Sequence, residues 1–227
     1  QFKNATGLPA DGHYSSPRDL ALIGRALIQD FPEQYAIYKE KYFTYNDIKQ
    51  PNRNRLLWRD PTVDGIKTGH TEEAGYCLVS SAVRDDMRLI SVVLGTTSDQ
   101  ARAQESQKLL AYGFRFFRNY PLYNAGQELN KPKVWKGMTD SVALGLGADL
   151  SLTIPRGSED TLAATLDLPE VIEAPLAADE VVGHLLVTLE GEEVAREPLL
   201  ALQAVEEAGF VKAIWHSIVL FFQGLFS

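Results

Sequence analysis

With one cysteine, two methionines and four histidines in 227 residues, little in this chain points toward thiol or metal chemistry. Cys77 has no partner for an intrachain disulfide. It sits in the apolar run Tyr76-Cys77-Leu78-Val79, where a buried, unreactive thiol is expected. One unpaired thiol does not discriminate between redox compartments. The histidines, at 13, 70, 184 and 216, lack the spacing of a zinc site, and no metal is expected. Basic residues are outnumbered, 22 Lys and Arg against 30 Asp and Glu, for a net charge of −8. That balance argues against a nucleic-acid partner, which would demand a basic face. No run of like charge is long enough for a solvating tail. A glycine-rich phosphate loop is also missing. No targeting segment is present, but Gln1 opens in what reads as the middle of a fold, so this absence is uninformative. The Asn4-Ala5-Thr6 sequon is read as chance.

Hydrophobic residues make up 45% of the chain, ample to bury the core of one large or two smaller domains. Ser16-Pro17-Arg18-Asp19 is a helix start, with a hydroxyl cap, proline at the first helical position and a carboxylate three residues after the cap. Leu20, Ile23, Leu27 and Ile28 follow at helical spacing, and the helix is expected to end near Asp30-Phe31-Pro32. Tyr76–Val83 and Met87–Gly95 read as an antiparallel hairpin across Arg84-Asp85-Asp86. Ser98 should cap a long helix through Asn119, with Leu109, Leu110, Tyr112, Phe116 and Phe117 on or near its buried side. Helix on antiparallel sheet is an α/β plan. Beyond Pro121, read as a boundary, short strands dominate: Leu150, Leu152 and Ile154 alternate, and Glu190-Gly191 joins another hairpin. The expected divisions are residues 1–121, 122–207 and 208–227.

The last segment, 209–226, differs from the rest. On a helical wheel Phe210, Ile214, Ile218, Phe221 and Leu225 share one face, flanked by Val211, Trp215 and Phe222. Lys212, His216 and Gln223 occupy a narrow opposite face. A C-terminal core helix is one reading, but the apolar face is very wide and aromatic for docking on a small β domain. At about 1.5 Å per residue, 18 residues reach roughly 27 Å, marginal for spanning a bilayer. A helix lying in the membrane interface fits better, although it has few of the cations usual there. Phe210, Ile214, Trp215, Ile218, Phe221, Phe222 and Leu225 are the expected membrane contacts.

The informative stretch is Val63-Asp64-Gly65-Ile66-Lys67-Thr68-Gly69-His70-Thr71. Placed just before a hairpin, it should form an edge strand facing a cleft. There a lysine would fix positive charge beside a substrate carboxylate and a threonine would offer its hydroxyl to the same group. A glycine would let a substrate backbone approach the strand. The triplet Lys67-Thr68-Gly69 by itself is a weak signal, and alone it favours a surface strand with a solvated lysine.

The wider pattern is specific. Gly7-Leu8, His13, Ser15-Ser16 and Asp19-Leu20 are followed by Asn52-Arg53-Asn54, Leu56-Leu57-Trp58, Asp64-Gly65, Lys67–Thr71, Arg102 and Lys108-Leu109-Leu110. In order and spacing this resembles the low-molecular-weight penicillin-binding proteins, the D-alanyl-D-alanine carboxypeptidases, over nearly the whole chain. The resemblance implies an α/β (α+β) transpeptidase/β-lactamase-like domain with an antiparallel sheet, then a small all-β domain and a C-terminal amphipathic helix. It also implies that Lys67 and the His70 backbone N–H are catalytic, the latter through an oxyanion hole. Thr68, Gly69, Thr71, Arg53 and Arg102 would bind substrate, although Arg55, where some relatives carry glycine, leaves open which arginine does the work. Expected ligands are peptidoglycan stem peptides and β-lactam antibiotics, with no cofactor. The expected partner is the membrane surface at the periplasmic face of the bacterial inner membrane, and self-association is left open.

One departure bears on activity. The family's Ser-x-x-Lys and Ser-x-Asn motifs do not occur in this chain, and both are expected upstream of the helix that starts at Ser16. Without them no acyl-enzyme forms. A catalytically inactive peptidoglycan-binding or scaffolding module is therefore the alternative reading, and a β-lactamase a weaker one that the β domain and tail speak against. A Ser-His-Asp triad from His13, Ser15 or Ser16, and Asp19 is set aside because they sit at a loop and helix start, where capping accounts for Ser16 and Asp19.

Overall fold

The computed structural model describes residues 1–225, with side chains as far as residue 221. It divides into two compact units, Gln1–Arg118 and Asn119–Ser227.

In the first unit, helix α1 (Pro17–Asp30) begins with a complete capping box: Asp19 N–H donates to Ser16 Oγ at 3.1 Å, and Ser16 N–H to Asp19 Oδ2 at 3.3 Å. The Ser16 hydroxyl, donating to Asp19 Oδ2 at 2.8 Å, and the Ser16 N–H lower the Asp19 pKa. The helix stops at Phe31, whose backbone, at φ −133° and ψ 54°, has left the helical region that the following Pro32 disfavours. After α2 (Pro32–Tyr35) and a short 3-10 turn (Ala36–Lys39) comes a hairpin, β1 (Tyr42–Tyr45) and β2 (Ile48–Pro51). Asn46 and Asp47 turn it with φ of 48° and 61°, the left-handed pair that a two-residue hairpin loop requires. A one-turn helix, α3 (Leu56–Arg59), leads into the antiparallel sheet of β3 (Val63–Thr71), β4 (Gly75–Arg84) and β5 (Met87–Thr96), in that spatial order.

Helix α4 (Asp99–Phe116) lies against this sheet. Ser98 caps it, accepting from Ala101 N–H at 3.0 Å. The expected buried side needs correction. Arg102, Ala103, Ser106, Leu110 and Phe114 turn inward, mostly four residues apart, with Ala103, Leu110 and Phe114 in one core with Leu56, Leu78 and Ala82, while Leu109, Tyr112 and Phe116 are exposed. The helix also ends at Phe116 and not Asn119. Phe117 is already extended because the chain continues into a paired strand, β6 (Phe117–Tyr123), with Pro121 inside it. Cys77 is half-buried, not buried, with its thiol 3.3 Å from the Ala74 carbonyl.

In the second unit β6 pairs with β8 (Leu150–Pro155), and β7 (Leu144–Gly145), β11 (Glu192–Ala201), β10 (Val181–Leu189) and β9 (Leu162–Asp167) form an antiparallel sheet in that order. The expected turn at Glu190-Gly191 is present, with φ of 53° and 88°. Alternate strand residues, Leu185 and Val187 against Leu199 and Ala201, point into a core completed by Val134, Val142, Leu144 and Val205.

Helix α5 (Phe210–Leu225) belongs to this unit and lies with its polar side inward. Lys212 Nζ pairs with Asp140 Oδ1 at 2.8 Å, and this contact lowers the Asp140 pKa. His216 Nδ1 accepts the Lys136 backbone N–H at 2.8 Å while its ring stands edge-on to Trp135 at 5.2 Å. The opposite side faces solvent: Phe210 is 80% exposed, Trp215 64% and Phe221 66%, with Ile214 and Ile218 also exposed. Of the other residues singled out in this segment, Phe222 and Leu225 lie beyond the described side chains, and Phe226 lies outside the described residues.

Candidate active site

Strand β3 is an edge of its three-stranded sheet, so one row of its backbone groups is turned away from β4. Its N-terminal half is braced by a polar cluster. Tyr35 Oη donates to Asp64 Oδ1 at 2.6 Å, and Arg88 pairs with Asp64 Oδ2 at 2.8 Å and donates to Ser81 Oγ at 2.7 Å. Burial, reinforced by the bond to Asp64, raises the Tyr35 pKa, so the phenol keeps its proton and remains a donor. Tyr35 lies so close to β3 that a Cβ on Gly65 would stand 2.6 Å from its oxygen.

A second brace comes from Asn52-Arg53-Asn54. Buried Asn54 donates from Nδ2 to the Gly65 carbonyl at 2.9 Å and accepts the Leu56 N–H at Oδ1 at 3.1 Å. Asn52 accepts the Asn54 N–H at 2.9 Å and donates to the Glu40 carbonyl at 3.0 Å. These amides hold the loop beside β3 and leave Arg53, between them, exposed.

The strand's C-terminal half opens into a cleft of about 840 Å³ lined by Lys67, Thr68, Gly69, His70 and Thr71 together with Arg53 and Arg102. Seven residues singled out from sequence are thus brought to one place. Lys67 is exposed, and its Nζ donates to the Thr68 carbonyl at 2.6 Å. The Thr71 hydroxyl accepts the Ala74 N–H at 3.0 Å, so it also shapes the β3–β4 turn. The His70 ring packs 3.9 Å from that of Tyr76. Arg102 is unlike Arg53. It is 5% exposed and already engaged, donating from Nη1 to the Gly69 and Cys77 carbonyls at 3.0 and 3.4 Å and from Nη2 to Asp99 Oδ1 at 2.6 Å. Asp99 also forms an ion pair with Arg55. A cleft in which Lys67 and Arg53 are exposed cations beside an open strand edge is suited to a peptide that ends in a free carboxylate.

Similar proteins are known for both units. Residues 1–98 match the family described as D-alanyl-D-alanine carboxypeptidase, and residues 117–207 match the C-terminal domain of penicillin-binding protein 5. The chain is 47% identical to D-alanyl-D-alanine carboxypeptidase DacC of Escherichia coli K12 over 227 residues, covering 99% of this chain and 57% of that protein. The chain belongs to the D-alanyl-D-alanine carboxypeptidase family of low-molecular-weight penicillin-binding proteins. DacF of Bacillus subtilis is 34% identical, with 92% of this chain and 55% of that protein covered. Among solved structures, penicillin-binding protein 5 from Haemophilus influenzae superposes with a TM-score of 0.82 at 44% identity, covering 91% of this chain and 61% of the other. The chain therefore spans between half and two-thirds of the length of these carboxypeptidases.

Sequence reasoning missed three cleft residues of this family member, Tyr42, Arg55 as an ion-pair partner, and Asp99. Tyr42 had a readable signal: Tyr42-Phe43-Thr44-Tyr45 before Asn46-Asp47 is a strand followed by a hairpin turn. Its ring meets Trp58 edge-on at 5.9 Å at the cleft wall. Asp99 had none, because an acid at the first position of a helix is ordinarily explained by the helix dipole.

Proposed function

We propose that this chain supplies the carboxylate-binding side of a serine-type D-alanyl-D-alanine carboxypeptidase acting on peptidoglycan stem peptides. One observation carries this reading: Lys67, Thr68 and Gly69 on the strand edge line the same cleft as the exposed Arg53. The Lys67 ammonium and Thr68 hydroxyl are donors for a terminal carboxylate, with Arg53 adding a planar donor pair. Gly69 leaves room for the peptide to lie alongside β3, and the His70 N–H is the edge donor for the oxyanion. The nucleophilic serine and its lysine belong to a Ser-x-x-Lys segment outside this chain. The serine oxygen attacks the carbonyl between two D-alanines, the serine proton passes to the leaving amine, and the terminal D-alanine departs. Water then cleaves the ester and restores the serine. A β-lactam would enter by the same attack and be retained as an ester.

Intact mass spectrometry of the protein carrying that segment, before and after benzylpenicillin, tests the reading alongside release of D-alanine from a stem pentapeptide. One penicillin added per molecule and D-alanine released are the expected results. An unmodified mass with no D-alanine release would leave a binding module instead.

We further propose that α5 rests in the outer surface of the cytoplasmic membrane, on its periplasmic side. The inward-facing polar side, held by Asp140 and the Lys136 N–H, supports this reading, as does the outward row of Phe210, Ile214, Trp215, Ile218 and Phe221. No described helix is long and apolar enough to cross a membrane. Burying five such side chains at about 1.5–3 kcal/mol each gives a large gross attraction. Because Lys212 is committed to Asp140, salt should weaken binding little. Co-sedimentation with phosphatidylglycerol-containing vesicles, comparing the whole chain with one ending at Glu207, is the test. Equal partitioning of the two would refute the anchor.

A further inference from the structure

We propose that Asp99 is the positioning residue that tunes this cleft to a free terminal carboxylate. The proposal rests on the carboxypeptidase reading above and assigns a role that the family motifs do not contain.

Arg53, Arg55 and Arg102 all line the cleft, and Asp99 is the one carboxylate among its described lining residues. The two Asp99 oxygens are divided between two of these cations: Oδ1 takes Arg102 Nη2 at 2.6 Å and Oδ2 takes Arg55 Nε. Asp99 is the first residue of α4, directly after the Ser98 cap, where the helix N-terminus favours a negative charge and the backbone is fixed. It is therefore a rigid counter-ion.

Two consequences follow for the ligand site. Arg102 is nearly fully buried, and a buried guanidinium without a carboxylate is strongly disfavoured. Asp99 keeps it in place, and Arg102 in turn holds the Gly69 carbonyl at 3.0 Å in the middle of the Lys67–Thr71 edge. The same carboxylate draws Arg55 aside and satisfies it. Arg53, two residues earlier, has no ion-pair partner among the described residues. Asp99 thus leaves Arg53, with Lys67, to receive a single carboxylate against an immobile strand. An amide-ended peptide would gain nothing from this arrangement.

The test is Asp99→Asn in the enzyme that carries the nucleophile, with KM and kcat measured for a peptide ending in D-Ala-D-Ala and for its C-terminal amide. Asparagine keeps the size and one acceptor but gives up the charge. KM for the free acid should rise about tenfold, the loss of part of one charge-assisted contact, while KM for the amide moves less than about twofold. Because Asp99 acts through Arg102, the same substitution in an Arg102→Lys background should raise the acid KM by less than about threefold. An equal rise for acid and amide, or additive effects of Asp99→Asn and Arg102→Lys, would overturn the proposal while the carboxypeptidase reading stands. A wild-type enzyme that cleaves neither peptide overturns both.

Discussion

Gly69→Ala separates what the fold needs from what the substrate needs. A Cβ at this position would meet one neighbour, the Cys77 Cβ at 3.8 Å, an ordinary van der Waals contact. The backbone there is not in the left-handed region, so alanine adopts it without strain. The folded unit should accept the methyl group, and the unfolded chain loses freedom, for a net gain of about 0.4–1 kcal/mol. Substrate meets a different situation. Gly69 is exposed on the cleft side of β3, and the methyl would displace a peptide laid along the edge. A displacement near 1 Å costs on the order of a hundredfold in rate, or about 2.7 kcal/mol of barrier. Gly65→Ala is the internal contrast, because its Cβ would stand 2.6 Å from Tyr35 Oη, and overpacking should cost about 1–3 kcal/mol of stability. Thermal melting and the second-order rate of acylation by a fluorescent penicillin measure both arms in the enzyme that carries the nucleophile. Wild-type acylation by Gly69→Ala would refute the placement of substrate along β3. A melting temperature lowered by several degrees would instead make Gly69 a requirement of the fold.

Lys67→Ala should slow acylation by about 2–4 kcal/mol in barrier while leaving the melting temperature nearly unchanged, since this exposed side chain bonds only to the neighbouring Thr68 carbonyl; penicillin labelling at the wild-type rate would count against it. Asn54→Ala removes two buried bonds and strands the Gly65 carbonyl and the Leu56 N–H, so urea denaturation should show a loss of about 2–4 kcal/mol, and a loss below about 0.5 would mean the brace is not needed. Burial would raise the Asp60 pKa, but the Thr62 hydroxyl and N–H and the Arg84 guanidinium outweigh it, and the net shift is downward. A lowered carboxyl contributes stability above its unfolded value, near pH 4, and loses it as pH falls through the folded value. Melting temperature against pH should therefore fall less steeply below about pH 4 in Asp60→Asn than in the wild type; identical slopes would remove Asp60 from the acid transition.

Local features were legible wherever neighbours in sequence satisfy one another. Ser16 and Asp19 close their own capping box, and the turns at Asp85-Asp86 and Glu190-Gly191 follow from short-range backbone chemistry. The order and spacing of Asn52–Asn54, Lys67–Thr71 and Arg102 likewise pointed to the family, because so many motifs in one fixed order form a specific pattern. Other features depend on distant partners. Helix α4 has apolar residues on more than one side, and whether Leu110 or Leu109 turns inward depends on where Leu56, Leu78 and Ala82 lie. Its last turn yields to strand pairing with β8, which no local propensity encodes.

By itself, then, the chain determined the starts of α1 and α4, the β4–β5 and β10–β11 hairpins, its family and the amphipathic character of its C-terminal segment, all set by contacts within a few residues or by recurring residue types. Tertiary structure alone decided how charge is shared among the arginines. Arg53 and Arg102 read alike in sequence, yet one is exposed and the other is buried against Gly69, Cys77 and Asp99, because α4 brings residues 99 and 102 onto a strand some thirty positions earlier. Tertiary structure also decided which side of α5 turns inward. An amphipathic wheel is silent on that point, and here the few polar residues find partners in Asp140 and the Lys136 N–H, so the aromatic side is the one left facing out.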